Sequence, residues 1–514
     1  MDHLLSLVLF IPLAGLVPLV LIPSSNRNAI RLTAIGFAGL SFVASLFLWA
    51  GFDPRQDFQF VERVPWIPSI GASYHLGIDG ISLLLVVMTT LVGLLAILSS
   101  WNAIQHREKE YYAFFLVQQT GMLGVFMALD ALLFFVFWEL TLIPMYFIIA
   151  IWGGPRRAYA AIKFVIYTLI GSVLMLLGIL TLYAQHREQF QTASFALADL
   201  MKVQMPEAMG WWVFWALFLG FAVKVPMWPF HTWLPDAHVE APTAGSVVLA
   251  SVLLKLGTYG FIRFSLPLLP DAARDPGIVS VVALLSIIAI VYGALTSLMQ
   301  TDWKKLVAYS SVSHLGFCTL GIFALNPMGI AGSVLQQVNH GISTGMLFLI
   351  VGVVYERRHT RDIAQYGGLL RVMPVFTMIF LIAALSSMGM PPLNGFIGEM
   401  AILQGVYQMS FWWAFWCAVG IALGAAYLFW LFQRTMLGTL TEANAKLKDL
   451  SPREILVFAP LVLWAFSIGL YPRPYFEVME RSVAQIVERV RPGYHAQHHL
   501  PNPLDIGSRA AASQ

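Results

Sequence analysis

The sequence predicts an all-α polytopic membrane protein of about 14 transmembrane helices, with a broken seventh and a broken twelfth helix. Three observations predict it. The 514 residues are 58% hydrophobic and only 11% charged, against about 25% charged in soluble domains, and mean hydropathy is +0.74. Apolar runs long enough to cross a bilayer, about 20 residues each, recur along the whole chain. Two of these runs are interrupted by closely spaced prolines with an ionisable residue nearby: Lys224 before Pro226 and Pro229, and Glu399 after Pro391 and Pro392.

Composition also excludes several function classes. The net charge of +3 does not point to a nucleic-acid partner, because most Lys and Arg fall in short loops. Cys318 and Cys417 stand singly in apolar segments, which argues against an iron–sulfur cluster, a zinc site or a redox disulfide. No GxGxxG follows a strand and no GxxxxGK[ST] occurs, so no dinucleotide or phosphate-loop site is indicated. The apolar run Leu4 to Ile22 lacks a basic flank and a cleavage signal, and reads as a first spanning helix.

In order, spans are expected at 3–23, 29–51, 78–100, 112–130, 131–151, 160–184, 211–230, 243–265, 277–299, 304–325, 329–355, 372–403, 411–434 and 454–471. A polar loop, 52–77, follows the second, and its DFQFVERVPWI alternates enough to form a β-hairpin against the membrane face. Loops after odd-numbered helices hold Arg27, Arg31, Arg107, Arg156, Lys304, Arg357, Arg358 and more. Loops after even-numbered helices hold only Arg55, Arg63, Arg187, Lys202, Arg263 and Arg274. The positive-inside rule then places both termini outside the cytoplasm. Trp211, Trp212, Trp412 and Trp413 fit interfacial anchors on that side; the arginines of the tail after Tyr471 do not fit the rule.

The seventh span reaches Lys224, meets Pro226 and Pro229, and passes through the polar turn HTWLPDAHVEAPTAGS to a helix holding Lys255. A lysine at bilayer depth costs about 3 kcal/mol on insertion scales. Proline removes a backbone donor and clashes with the preceding turn, so the helix breaks beside that lysine. The twelfth span breaks around SSMGMPPLNGFIGE, and because the two broken spans are five helices apart they run in opposite directions. Paired interrupted helices point to an inverted repeat with its site near the midplane. The alternative for Lys224 is a lysine that snorkels from a helix end.

Other ionisable residues lie inside spans. Glu139, in LLFFVFWELTLIPMYF, needs a partner or a proton, and Lys224 is the natural partner; a permanently protonated structural group is the alternative. Lys255 has no carboxylate near in sequence, which suits a group that loads and releases a proton, unless a distant acid pairs with it. His314 and His340 sit among Ser, Gln and Asn side chains that hold ordered water, or else serve as packing groups. Asp79 reads as a helix cap. His231, Asp236, His238 and Glu240 form either a cytoplasmic mouth or a solvated turn. Together Glu139, Lys224, Lys255, His314, His340 and Glu399 make a row of titratable groups suited to proton transfer, gated by the Glu139–Lys224 pair. A stand-alone solute transporter and a structural spacer are the readings from other classes; no solute motif supports the first, and the cost of these buried groups opposes the second.

KVPMWPFHTWLPDAHVEAPTAGSVVLASVLLKLGTYG, DWKKLVAYSSVSHLGF and SSMGMPPLNGFIGE resemble the antiporter-like subunits of respiratory complex I, over nearly the whole chain. The resemblance implies an N-terminal three-helix segment (1–111) and two inverted five-helix repeats, helices 4–8 (112–266) and 9–13 (277–435). Helix 14 and a tail (436–514) complete it. It implies that Glu139 pairs with Lys224, that Lys255 is central, and that His314 and His340 continue the polar axis. Glutamate at the twelfth-helix position, Glu399, marks the chain-M type, where relatives often have lysine. It further implies a multi-pass bacterial inner-membrane subunit with periplasmic termini, lipids around it, and neighbouring antiporter-like and other membrane-arm subunits as partners. No cofactor is expected on this chain; FMN, iron–sulfur clusters and quinone belong to partner subunits. An Mrp-type cation/proton antiporter or a membrane-bound hydrogenase is the alternative within the family.

Overall fold

Each of the fourteen predicted segments falls on a helix, or on consecutive helices, in a computed structural model that describes residues 3–505. Among the described residues, ten of these helices are long and apolar enough to cross a membrane on length and composition alone. The remaining four segments are interrupted or carry more polar residues: Glu108–Met127, Glu207–Lys224 with Trp233–Glu240, Trp303–Ile322, and Pro374–Ser387 with Asn394–Met409.

Side-chain caps set many of the helix starts. Asn26, Asp79, Asp130, Asp275, Asp302, Asn326 and Ser410 each accept a hydrogen bond from an amide in the first turn that follows. Such a cap satisfies donors that the helix itself leaves open. Asp130 separates the fourth and fifth spans: Glu108–Met127 ends before it and Ala131–Leu140 starts after it. Ser451 and Glu454 form a reciprocal capping box on Pro452–Leu470.

Three segments form the interior spine. Gly80–Ser99, Thr243–Leu268 and Pro327–Arg358 are almost wholly buried along their most apolar stretch, whereas the other long apolar helices bury between a quarter and three-fifths of theirs. Those outer helices leave Leu32, Phe47, Ile170, Leu284 and Leu463 exposed. An apolar outer surface is what lipid requires, since lipid-facing side chains need no polar partner. At the crossing of Arg157–Phe190 with Glu207–Lys224, Gly171 and Gly220 bring the two backbones together, and a Cβ on Gly220 would run into the Gly171 carbonyl.

Both breaks have the same local form. Met227 N–H bonds to Ala222 O at 2.9 Å, and Met390 N–H bonds to Leu385 O at 3.0 Å, so each first half-helix ends in a wide turn closed by a bond five residues back. The peptide bonds before Pro229 and Pro392 are cis. Trp233 Nε1 donates to Val223 O at 2.9 Å, and Asn339 Nδ2 donates to Asn394 O at 2.8 Å. Neighbouring side chains thus supply the partners that a break inside a membrane demands.

Loop 52–77 does form a hairpin, with strand β1 (Gln59–Ile67) antiparallel to β2 (Ala72–Ile78) and Arg63 opposite His75. The sequence predicts no element in the tail after Tyr471. There the structure has an amphipathic helix, Arg473–Val490, burying Tyr475, Met479, Val483, Ile486, Val487 and Val490. That helical spacing was the available signal, masked by its many charges. The helix ties down one end of the bundle: Arg481 pairs with Asp57 at 2.6 Å, and Gly80, which packs against the Val478 carbonyl with no room for a Cβ, donates to Ser482 Oγ. Beyond it Glu488 accepts from the Gly493 and His495 amides and faces the His495 ring. Partial burial pushes the Glu488 carboxyl up, but these bonds more than offset that and hold it below the usual carboxylate range. A carboxyl held low stabilises the turn above the ordinary value and loses that contribution as pH falls through the lowered one. Hydrogen exchange across 491–498, corrected for intrinsic rates, is therefore expected to lose protection in acid for wild type and already at neutral pH for Glu488→Gln. Equal neutral-pH protection in both would contradict it.

Candidate functional site

Lys224 is the last residue of Glu207–Lys224, two residues before Pro226, and is 1% exposed. Its Nζ donates to Thr141 Oγ1 at 3.2 Å and lies 5.2 Å from the Trp138 ring and 6.0 Å from the Phe164 ring. The Thr141 hydroxyl in turn donates to Trp138 O, and Trp138 Nε1 donates to Ser172 Oγ, so the lysine's surroundings are themselves held. Cation–π contacts of this desolvated kind contribute about 2 kcal/mol.

Glu139 does not pair directly with Lys224, contrary to the expectation from sequence. Trp138 and Thr141, three residues apart, share the helix face that meets Lys224, and Glu139 is turned about 100° away from Trp138. It is half-buried and lines an apolar groove of about 520 Å³ with Leu142, Ile143, Tyr146, Phe147 and side chains of Arg157–Phe190. Its Oε1 makes no hydrogen bond within the protein. The two charges interact only through space.

The other four predicted residues form a connected row. Lys255 is fully buried on Leu254–Gly260, between the wide π-helical turns Leu249–Leu253 and Phe261–Ser265. Such turns open the ordinary helical ladder, and Lys255 Nζ donates to the Ala250 carbonyl in the first of them. The same Nζ lies 2.6 Å from His340 Nδ1. The His340 and His314 rings are 5.7 Å apart between centroids. His314 Nδ1 lies 3.4 Å from Glu399 Oε1, and His314 Nε2 lies 3.3 Å from Tyr427 OH. Gln336 Nε2 donates to Glu399 Oε1 at 3.2 Å, which fixes the carboxylate from the helix that also carries His340. Lys224 and Glu139 stand apart from this row.

Three features escaped the sequence reading. The stretch after the seventh break is not a solvated turn: Trp233–Glu240 is helical, and His231, His238 and Glu240 are buried. His238 stacks on Phe348 with neither ring nitrogen hydrogen-bonded, while Asp236 holds Arg156 and Lys163. Lys304, read as a loop residue, is buried in the first turn of Trp303–Ile322 and donates to Ala241 O at 2.6 Å, beside a cavity of about 160 Å³ that Glu240 and Arg361 also line. Arg263, also read as a loop residue, lies inside the eighth segment and pairs with Asp79 at 2.6 Å, both buried. Neither lysine nor arginine carries a local signal for a partner that is distant in sequence. Among the described residues no group of three or more His, Cys, Asp or Glu could hold a metal ion, and both cysteines are free.

Two broken helices flanking a buried row of Lys, His and Glu define the antiporter-like class of membrane proteins. The comparisons agree. Residues 128–424 match the family described as NADH:quinone oxidoreductase/Mrp antiporter, and residues 7–129 match NADH-ubiquinone oxidoreductase chain 4, amino terminus. The chain is 45% identical to NADH-quinone oxidoreductase subunit M of Rhodobacter capsulatus, over 100% of this chain and 99% of that one. It is 43% identical to NADH-ubiquinone oxidoreductase chain 4 of Marchantia polymorpha, over 94% and 97%. It superposes on a chain of respiratory complex I from Thermus thermophilus with a TM-score of 0.86 at 30% identity, covering 95% and 99%. A chain of the Mrp complex from Dietzia shares the fold, with a TM-score of 0.83 at 18% identity, covering 97% and 99%. The chain belongs to the NADH:quinone oxidoreductase/Mrp antiporter family, on its subunit M and chain 4 branch.

Proposed function

We infer that this chain is a proton-translocating membrane-arm subunit of an NADH:quinone oxidoreductase. The single observation that carries the reading is the buried row Lys255, His340, His314 and Glu399, with spacings of hydrogen-bond length or one bridging water. Each member gains or loses a proton without changing its backbone position, and no other use offsets the cost of burying such groups in a membrane. Lys224 and Glu139 form the gate: in this state Lys224 rests on the Thr141 hydroxyl and meets Glu139 only through space, and the gate switches when the ammonium leaves that hydroxyl for the carboxylate, which requires the helix bearing Glu139 to turn. Making and breaking that pair stabilises and then releases both charges, and a proton moves onward. The matching turns at Pro226–Pro229 and Pro391–Pro392 support two inverted repeats, 112–266 and 277–435, between an N-terminal segment (1–111) and a C-terminal part (436–514).

Electron transfer, with its FMN, iron–sulfur clusters and quinone, then takes place on partner subunits, and neighbouring antiporter-like subunits extend the pathway laterally through the lipid. Loop charge supports an orientation with both termini on the periplasmic side of a bacterial inner membrane. The buried cavity beside Lys304 and Glu240 lies at the opposite end from the hairpin and supplies the cytoplasmic mouth. The test is NADH-driven proton uptake by vesicles containing the assembled complex. Glu399→Gln keeps a hydrogen-bonding partner for Gln336 but cannot carry a proton, and is expected to lower uptake at least fivefold. Glu399→Lys is expected to retain part of it, because a lysine at that place also takes up and releases a proton. Wild-type uptake in Glu399→Gln would remove the row from the pathway.

A further inference from the structure

An arginine inside a fully buried segment needs a defined purpose, because an unpaired guanidinium there is very costly. Arg263 has a complete set of partners. Its Nη2 meets Asp79 Oδ1 at 2.6 Å, its Nε donates to Tyr259 OH at 3.1 Å, and its plane lies 4.9 Å from the Phe58 ring. Asp79 also caps Gly80–Ser99 through the Ser82 amide. Tyr259 OH donates to Phe126 O and lies 3.1 Å from Ser82 Oγ. Lys255, Tyr259 and Arg263 are spaced by four, so they lie in one row along the helix. Lys255 therefore sits one turn from a residue that Arg263 grips.

The helix between them is unusual in a way that makes the grip matter. Lys255 rides on a seven-residue piece, Leu254–Gly260, with a wide turn at each end, and Arg263 belongs to the second of those turns. Wide turns loosen the ladder that would otherwise fix the rotation of the piece. On the other side of the pair, Gly80 donates to Ser482 of Arg473–Val490, and Arg489 of the same helix donates to Pro267 O at the end of the eighth segment.

We propose that the Asp79–Arg263 pair is a positioning pair: it sets the rotation of the Lys255-bearing piece and ties it to the C-terminal amphipathic helix. It holds Lys255 Nζ against His340 Nδ1 and the Ala250 carbonyl without contacting the proton row. This rests on the reading of Lys255 as a proton carrier.

The experiment uses the assembled complex in vesicles, with Asp79→Asn, Arg263→Lys and the double variant Asp79→Asn with Arg263→Gln. The double variant leaves neither charge unpaired, so it stays testable where a single variant fails to assemble. Three readouts are taken: NADH-driven proton uptake, hydrogen exchange of amides 249–260, and NADH oxidation by an artificial acceptor as a measure of intact partner chains. The expected result is a threefold or larger fall in uptake together with faster exchange across 249–260, at unchanged acceptor activity, and partial recovery in Arg263→Lys relative to the double variant. Unchanged uptake in the double variant overturns the proposal, whether or not exchange quickens. Lost uptake with unchanged exchange across 249–260 overturns it as well. Lys255→Ala is run alongside: wild-type uptake there means the carrier reading has failed and the positioning role with it. Lost uptake there combined with normal uptake in the double variant means that only the positioning role has failed.

Discussion

Lys224→Ala is expected to lower NADH-driven proton uptake at least tenfold while the complex still assembles. The two halves of that expectation have separate physical grounds. Assembly survives because the substitution removes a buried charge rather than orphaning one. An insertion cost of about 3 kcal/mol disappears with the ammonium, against the loss of about 2 kcal/mol of cation–π stabilisation from Trp138 and Phe164. Glu139, half-buried on its groove, already has an oxygen without a protein partner and loses no hydrogen bond with the lysine. Uptake falls because the gate then has one arm: nothing remains to move from the Thr141 hydroxyl to the Glu139 carboxylate. Uptake is read as dye quenching in vesicles, and assembly as the amount of complex recovered from the membrane. If both match wild type, the broken seventh helix is architecture and Lys224 is a packing lysine. Glu139→Ala should give the same loss, since it removes the other arm.

Periodicity and composition made the helical segments legible in sequence, because a bilayer imposes a length and a polarity that no local preference overrides. Proline spacing located both breaks for the same reason: Pro226 and Pro229, like Pro391 and Pro392, remove donors that a membrane cannot replace. Side-chain direction was less accessible. Glu139 and Lys224 share a depth, yet the face of the helix that meets Lys224 belongs to Trp138 and Thr141. Only the packing of Ala131–Leu140 against its neighbours fixes that rotation. Charges whose partners lie far away were misplaced as loop residues: Lys304 bonds to Ala241, and Arg263 pairs with Asp79, almost two hundred residues earlier in the chain. The tail helix was hidden differently, since its charged face lowers mean hydropathy while its buried face keeps the spacing of Tyr475, Met479, Val483 and Val490. The row from Lys255 to Glu399 was legible residue by residue, because a titratable group in an apolar span stands out, but which of its members touch was not.

The same distinction between holding a charge and moving a proton makes Lys255 the sharpest test of the row. Lys255→Ala is expected to lower proton uptake at least tenfold, and Lys255→Arg is expected to fall nearly as far. A lysine changes protonation state readily when buried, whereas a guanidinium keeps its proton in essentially any protein environment. Arginine thus preserves the positive charge beside His340 and abolishes the exchange. It is also longer, and the site is closed: Lys255 has no exposed surface, and its Nζ is held between the Ala250 carbonyl and His340 Nδ1. If Lys255→Arg lost uptake only because it did not fit, the amount of assembled complex would fall with it, so uptake is normalised to complex recovered. If normalised uptake in Lys255→Arg stayed near wild type while Lys255→Ala lost it, a fixed charge would suffice at this position. The proton would then bypass Lys255, and the row from His340 to Glu399 would have to take its protons from elsewhere.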